Sequence, residues 1–224
     1  MCLPGLRERR CIVIKHLIWD TDNVLFETQP AVTYAICQSL NEMGYTIALN
    51  VVDRLAHQSL DYCVESLAAR FQLSPYLLRQ RSAQHYHQIS PDRQMPFPGV
   101  LEVCAWSVRR GGLNLIATAR GLDSTLALLA AHGMTDLFAD IFCTEQGYPC
   151  KPNPSILLVA LEKYALDPSE IMLVGHCEND IQAGQAAKVA TCLFGEAEVS
   201  SLPSLQVSNF FSLLTFLEDQ SGLD

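Results

Sequence analysis

The sequence has little charge, no long apolar run and no Cys-x-x-Cys pair. Charged residues make up 17% of its 224 residues, and the longest early apolar stretch, residues 11–19, is interrupted by Lys15 and His16. That stretch is too short for a membrane span or a signal peptide. Hydrophobic residues nevertheless make up 49% of the chain, enough for a sizeable core. The composition predicts a soluble globular protein, either one core domain of about 150 residues with an insert or two equal domains.

The net charge of −9 limits the partners of this chain. An acidic protein is a poor partner for a nucleic-acid backbone or an anionic membrane, so we expect neither. A small anionic substrate remains compatible, because it responds to the local field of a cleft. For the assembly we expect a monomer or a homodimer.

The nine cysteines are odd in number and scattered along the chain. This pattern favours small apolar core residues in a reducing compartment over a disulfide framework, and it predicts a cytoplasmic protein. The residues are Cys2, Cys11, Cys37, Cys63, Cys104, Cys143, Cys150, Cys177 and Cys192.

Mostly apolar segments alternate with segments of helical periodicity over much of the chain. Four segments read as strands: 12–19, 113–117, 171–174 and 189–194. Helical patterns occupy 124–131, 154–164, 180–187 and the apolar face of 210–217. Residues 1–10, with three arginines and a Pro-Gly, predict a short arm. Apolar strands that alternate with helices predict an α/β fold: a Rossmann-like parallel sheet covered by helices on both faces.

Residues 29–95 break this alternation, because they carry helical patterns without an apolar strand. The periodicity predicts helices before Gly44, over 64–71 and over 75–89. We therefore expect a core domain formed by 1–28 and 96–224 and a small all-helical domain formed by 29–95.

Polar residues that could do chemistry follow the apolar strands. Ligands of an open α/β sheet gather at the carboxyl ends of the strands, so these side chains are expected to lie near one another. Paired carboxylates suit a nucleophile and a general acid, a hydroxyl and an ammonium suit phosphoryl oxygens, and carboxylates suit Mg²⁺. The set therefore predicts phosphoryl transfer. Its members are Asp20, Asp22, Thr118, Lys151 and Asp180.

The order of these motifs over nearly the whole chain resembles the haloacid dehalogenase superfamily of phosphohydrolases. The motifs are Asp20-x-Asp22-Asn23-Val24-Leu25, Thr118 after an apolar strand, Lys151-Pro152-x-Pro154, and Ile171-Met172-Leu173-Val174-Gly175 with Asp180. A helical insert after the first motif is similar to the subfamily with a helical cap, which includes phosphoglycolate phosphatases. The resemblance implies a metal-dependent phosphatase of a small phosphorylated metabolite, and 29–95 would be its cap.

The resemblance also implies a role for each matching residue. Asp20 would attack phosphorus to form an aspartyl-phosphate, and Asp22 would act as general acid and then general base. Thr118 and Lys151 would hold the phosphoryl oxygens. Mg²⁺ would lie between the Asp20 carboxylate, the backbone carbonyl of Asp22 and an acidic residue of the last loop, for which Asp180 is the first candidate.

His176 departs from the family pattern, which has a metal-binding aspartate at this position. Imidazole is a poorer ligand than carboxylate for Mg²⁺. Three interpretations stay open: Asp180, or less readily Glu178, supplies the missing oxygen; His176 binds a softer metal such as Mn²⁺ or Zn²⁺; or the chain binds ligands or partners with little turnover. The last of these is the alternative to a phosphatase.

Other activities of the superfamily fit the sequence less well. Residues 29–95 contain no lysine, which disfavours a phosphonate hydrolase with a Schiff-base lysine in its cap. A dehalogenase has no need of Asp22 as an acid for the leaving group. A phosphoglucomutase-like transferase remains a minor alternative, and it would need a bisphosphate activator.

Overall fold

A computed structural model describes residues 13–221 of the chain. The predicted arm at 1–10, the first residue of the predicted strand at Ile12, and the cysteines Cys2 and Cys11 lie outside the described residues. Of the helices within 13–221, none has the length and apolar character needed to cross a membrane. All seven cysteines described are free, and five of them are buried.

Six parallel strands form one sheet in the order β3-β2-β1-β4-β5-β6. The predicted α/β class is confirmed, and so are four predicted strands, although β1 is shorter than its apolar pattern. The pattern missed β3 and β6, because they have only four and three residues and each includes a polar residue. The bounds are β1 His16–Trp19, β2 Asn114–Thr118, β3 Asp140–Cys143, β4 Ile171–Gly175, β5 Ala190–Phe194 and β6 Leu205–Val207.

Nine α-helices lie within the described residues. The helices predicted from periodicity are present, whereas the periodicity did not predict α2 or α5. The bounds are α1 Gln29–Glu42, α2 Leu49–Ala56, α3 Leu60–Phe71, α4 Pro75–His87, α5 Val100–Arg109, α6 Leu122–Ala131, α7 Ser155–Lys163, α8 Glu178–Ala186 and α9 Phe210–Ser221.

The described chain divides into two compact units. The first combines the described residues up to Asp20 with Pro98–Ala119 and with the described residues from Leu137 onward. The second combines Thr21–Phe97 with Arg120–Asp136. The domain boundaries predicted from the sequence remain a prediction.

The first unit carries the sheet, and helices cover both of its faces. Alternate strand residues such as Ile18 and Leu173 pack with α7 and α8 in one apolar cluster. On the opposite face the ring of Trp19 lies 5.8 Å from that of Phe210 on α9. Since successive strand residues point to opposite faces, strands covered on both sides are mostly apolar, as residues 17–19 of β1 and 171–174 of β4 are.

The second unit has an apolar core of its own. Residues of α1, α2 and α3 with Leu78 of α4 form a buried cluster, which includes Ile36, Leu40 and Leu67. Ser59 and Ser74 cap α3 and α4, because each hydroxyl accepts a hydrogen bond from a backbone N–H in the first turn.

Candidate active site

Asp20 follows β1 directly, at the carboxyl end of the central strands. Its backbone N–H donates to the carbonyl of Val174, the residue of β4 beside it, at 3.0 Å. This hydrogen bond continues the β1–β4 ladder by one residue and holds Asp20 at the sheet edge. The residue is 7% exposed, so its carboxylate is largely removed from water.

Lys151 contacts three different segments at this edge of the sheet. It lies between β3 and α7, and its ammonium contacts Asp20 Oδ1 at 3.0 Å and Asp180 Oδ1 at 2.6 Å. It also donates to the carbonyl of Ala117 in β2 at 3.0 Å. An ammonium has three N–H donors, and three protein oxygens face this one. The structure therefore brings three of the predicted residues together: Asp20, Lys151 and Asp180.

Asp180 lies in the first turn of α8 and organises the loop after β4. Its Oδ2 accepts from the backbone N–H of His176 at 2.9 Å and of Cys177 at 3.2 Å. A carboxylate at this position satisfies donors at a helix N-terminus that have no intrahelical partner. Gly175 makes the approach possible, because a Cβ there would lie 2.2 Å from Asp180 Cβ.

His176 reaches the second oxygen of the Asp20 carboxylate. Its Nδ1 lies 3.3 Å from Asp20 Oδ2 and 3.7 Å from Asp180 Oδ2. The sequence identified His176 only as a departure from a metal ligand and did not predict this contact. Asp20 thus lies between Lys151 on one oxygen and His176 on the other.

The charges at this site are mutually stabilising. Burial of Asp20 opposes ionisation, but Lys151 and His176 outweigh it and hold the pKa of this carboxyl well below its usual range. Burial opposes the charge of Lys151 in the same way, yet Asp180 and Asp20 hold its pKa above the usual value. Asp20 is therefore an anion at neutral pH, as a carboxylate nucleophile must be.

Thr118 is the last residue of β2 and is 1% exposed. It follows Ala117, whose carbonyl accepts a hydrogen bond from the Lys151 ammonium. Thr118 is therefore adjacent in sequence to a residue that contacts Lys151. The role predicted for Thr118, to hold phosphoryl oxygens, remains a prediction.

The donor set of the first unit fits Mg²⁺ poorly. Mg²⁺ requires near-octahedral oxygen coordination. Here the Lys151 ammonium contacts Oδ1 of both Asp20 and Asp180, backbone N–H groups donate to Asp180 Oδ2, and His176 Nδ1 faces Asp20 Oδ2. Within the described residues, Asp180 Oδ1 and His176 Nδ1 are buried without a hydrogen bond of ordinary geometry. The predicted ligation by Asp20, Asp22 and Asp180 remains a prediction, and this geometry does not favour it.

A softer metal has a candidate donor set in the same loop. One donor atom each of His176, Cys177 and Asp180 lie within 4.8 Å of one another. Burial, with the nearby Asp180, raises the pKa of the Cys177 thiol to about 12. The protonated thiol lies 3.2 Å from Asp180 Oδ2 and acts there as a donor, whereas a metal would need the thiolate.

Asp22 belongs to the second unit, where it pairs with Arg120. The guanidinium Nε lies 3.2 Å from both carboxylate oxygens of Asp22, and Nη1 donates to Ser124 at 2.7 Å. Arg120 also donates to the hydroxyl of Tyr86 on α4, which in turn donates to Gln94. A planar guanidinium that engages both oxygens fixes the orientation of a carboxylate.

Sequence reasoning missed Arg120 as a functional residue. A signal existed, since Arg120 follows Thr118 by two residues at the end of a strand, where functional side chains gather. The partner Asp22 is 98 residues away in sequence, so no local pattern could indicate the pair.

Comparison with known proteins agrees with the predicted family and fold. A family model described as haloacid dehalogenase-like hydrolase matches residues 14–188. A phosphoglycolate phosphatase of Pectobacterium atrosepticum is 29% identical over 93% of this chain and 94% of its own length. One of Nitrosospira multiformis is 30% identical over 78% of this chain and 80% of its own.

A solved structure shows the same fold. The crystal structure of a predicted phosphoglycolate phosphatase from Haemophilus somnus superposes with a TM-score of 0.76 at 18% identity, covering 91% of this chain and 97% of that one. The family match covers well over half of the residues and includes Asp20, Thr118, Lys151 and Asp180. The chain belongs to the haloacid dehalogenase-like hydrolases.

Proposed function

We propose that this protein is a phosphatase that hydrolyses a phosphomonoester of a small metabolite, with Asp20 as the nucleophile. The observation that carries the proposal is the buried Asp20 carboxylate, which Lys151 and His176 keep ionised at the carboxyl edge of the sheet. Several relatives are named phosphoglycolate phosphatase, which makes 2-phosphoglycolate the first substrate to test.

The proposed reaction has two steps. An oxygen of Asp20 attacks phosphorus, the bond from phosphorus to the leaving oxygen breaks, and Asp22 gives its proton to that oxygen. Asp22 then takes a proton from a water molecule, and the water oxygen attacks the phosphorus of the aspartyl-phosphate. The bond from phosphorus to the Asp20 oxygen breaks, which releases phosphate and restores Asp20. Thr118 and Lys151 hold the phosphoryl oxygens and offset their charge.

The experiment is a phosphate-release assay with p-nitrophenyl phosphate and 2-phosphoglycolate. Purified protein is assayed with Mg²⁺, Mn²⁺, Co²⁺ or Zn²⁺ and with EDTA. We expect turnover in at least one condition and its loss in Asp20→Asn, because the amide keeps the shape of the carboxylate but is not a nucleophile. The control is Asp219→Asn, a change at an exposed residue of α9, which should leave turnover unchanged.

Two results would count against the proposal. Turnover that survives in Asp20→Asn would exclude Asp20 as the nucleophile. No turnover of either substrate, with no phosphoryl group on the protein after acid quench in mass spectrometry, would favour the binding alternative, which the relatives do not favour. Cytoplasmic location, oligomeric state and the predicted cap role of 29–95 remain predictions.

A further inference from the structure

The Asp20 carboxylate has a cationic or hydrogen-bearing group at each oxygen. Lys151 Nζ lies 3.0 Å from Oδ1, and His176 Nδ1 lies 3.3 Å from Oδ2. Both groups are supplied by the chain itself. In a metal-dependent site, one oxygen of such a carboxylate would face the ion.

The geometry bears on whether the Nδ1 atom of His176 carries hydrogen. Nδ1 of His176 is buried and lies 3.3 Å from Asp20 Oδ2 and 3.7 Å from Asp180 Oδ2, contacts that are close but lack the alignment of an ordinary hydrogen bond. A bare nitrogen lone pair facing two anionic oxygens would be repelled, so Nδ1 carries hydrogen. Nδ1 carries hydrogen both in the imidazolium and in one neutral tautomer, so the ring can be charged or neutral at this contact.

A nitrogen that carries hydrogen cannot also bind a metal through that atom. A cation at Asp20 Oδ2 would therefore meet an N–H donor, with the Lys151 ammonium on the other oxygen of the same carboxylate. The remaining carboxylate, Asp180, is engaged by Lys151 and by two backbone N–H groups. Oxygen ligands for Mg²⁺ are thus few, because groups that carry hydrogen already face the carboxylate oxygens that the ion would need.

We propose that His176 takes the place of the metal ion beside Asp20, so that Lys151 and His176 together align the nucleophile and the protein hydrolyses phosphomonoesters without a bound divalent cation. The proposal rests on the proposed function for its turnover part. The cation-binding part concerns the free protein and is measured separately. His176 is a positioning residue here, because it acts through Asp20.

The first test measures cation binding without turnover. Mn²⁺ is titrated into the full-length wild type and His176→Asp, and free Mn²⁺ is followed by electron paramagnetic resonance. We expect His176→Asp to bind Mn²⁺ at least about tenfold more tightly than the wild type, because the substitution removes a donor and adds a carboxylate oxygen. His87→Asp is the control, since His87 is exposed on α4.

The second test measures phosphate release from p-nitrophenyl phosphate with EDTA and with Mg²⁺. Wild-type turnover should resist EDTA, whereas His176→Asp should need Mg²⁺ to offset the added negative charge. His176→Asn keeps an N–H close to the position of Nδ1 and should retain EDTA-resistant turnover. His176→Leu removes this N–H and should lose turnover while the protein stays folded. A purely structural role would not separate His176→Asn from His176→Leu in this way.

Several results would overturn the inference. Loss of wild-type turnover in EDTA would show that the enzyme needs a metal. Tight binding of Mn²⁺ or Zn²⁺ that His176→Leu abolishes would make His176 a ligand. If only His176→Asp turned over, and only with Mg²⁺, His176 would be a residue that impairs a metal-dependent site. If neither protein turned over in any condition, the proposed function would fail, and the Mn²⁺ titration would still decide whether His176 excludes the ion.

Discussion

At the scale of single residues, Arg120 is the side chain that gives Asp22 a fixed direction. Its guanidinium contacts both oxygens of Asp22, and Ser124 and Tyr86 hold the guanidinium in turn. Arg120 is largely buried, with 8% of its side chain exposed, whereas 37% of the Asp22 side chain is exposed, so solvent reaches this pair from the side of the carboxylate. A general acid must be held in the correct geometry, which makes Arg120 a positioning residue for the proposed reaction.

Arg120→Ala should lower kcat for p-nitrophenyl phosphate by about 10- to 100-fold, because an unheld Asp22 samples unproductive directions. Arg120→Lys keeps the charge but loses the two parallel N–H donors of the guanidinium. Its kcat should lie between those of the wild type and Arg120→Ala. The control is Arg79→Ala, which removes an exposed pair with Asp61. A rate at or above that of the wild type would mean that Arg120 restrains Asp22 and does not orient it.

At the scale of elements, Glu178 at the N-terminus of α8 holds the loop before β6 by hydrogen bonds. Glu178 accepts from the hydroxyls of Ser201 at 2.6 Å and Ser200 at 2.9 Å, and from the backbone N–H of Ser200 at 2.6 Å. The hydrogen bond from the Ser201 hydroxyl lowers the pKa of Glu178 to about 2. Burial acts in the opposite direction, and the hydrogen bond from Ser200 adds to the lowering. The same helix presents Asp180 to Lys151, so the anchor of α8 also supports the site.

Glu178→Gln should destabilise the protein in a pH-dependent way. A carboxyl whose pKa falls on folding stabilises the native state above its ordinary pKa of 4.5, and that contribution is lost as pH falls towards 2. The difference in unfolding free energy between wild type and variant should therefore be largest above pH 4.5 and shrink below it. Urea unfolding at several pH values measures it, with Glu162→Gln on α7 as control. A difference that is constant with pH would refute this assignment.

At the scale of the whole molecule, each of the two compact units of the described chain has apolar packing of its own. Leu173 belongs to the core between the sheet and helices α7 and α8. Leu67 belongs to the core of α1 to α4. Both leucines are fully buried, so truncation of either leaves a cavity that close-packed neighbours fill only in part.

Leu173→Ala and Leu67→Ala should each cost about 2–5 kcal/mol of unfolding free energy, but in different parts of the chain. Hydrogen exchange followed by mass spectrometry should show faster exchange of the strands in Leu173→Ala and of α1 and α3 in Leu67→Ala. Equal loss of protection in both units for either variant would show that they unfold as one cooperative body. Leu202→Ala, at a residue that is 86% exposed, is the control.

The sequence by itself determined the fold class and the positions of the strand-end residues, because those signals are local. An apolar segment followed by a polar residue marks a buried parallel strand and its carboxyl end, as at Asp20 and Thr118. The strands β3 and β6 lacked such a signal, since runs of four and three residues that include Asp140 and Gln206 are too short to form a pattern.

Only the tertiary structure decided which groups face one another within each unit. The contact of His176 with Asp20 joins residues 156 positions apart, and the pair of Arg120 with Asp22 joins residues 98 apart. Neither follows from periodicity or composition, because each depends on how separate strand ends and loops meet in three dimensions. The identity of His176 could be read from the sequence, but its place at the second oxygen of the nucleophile required the packed sheet.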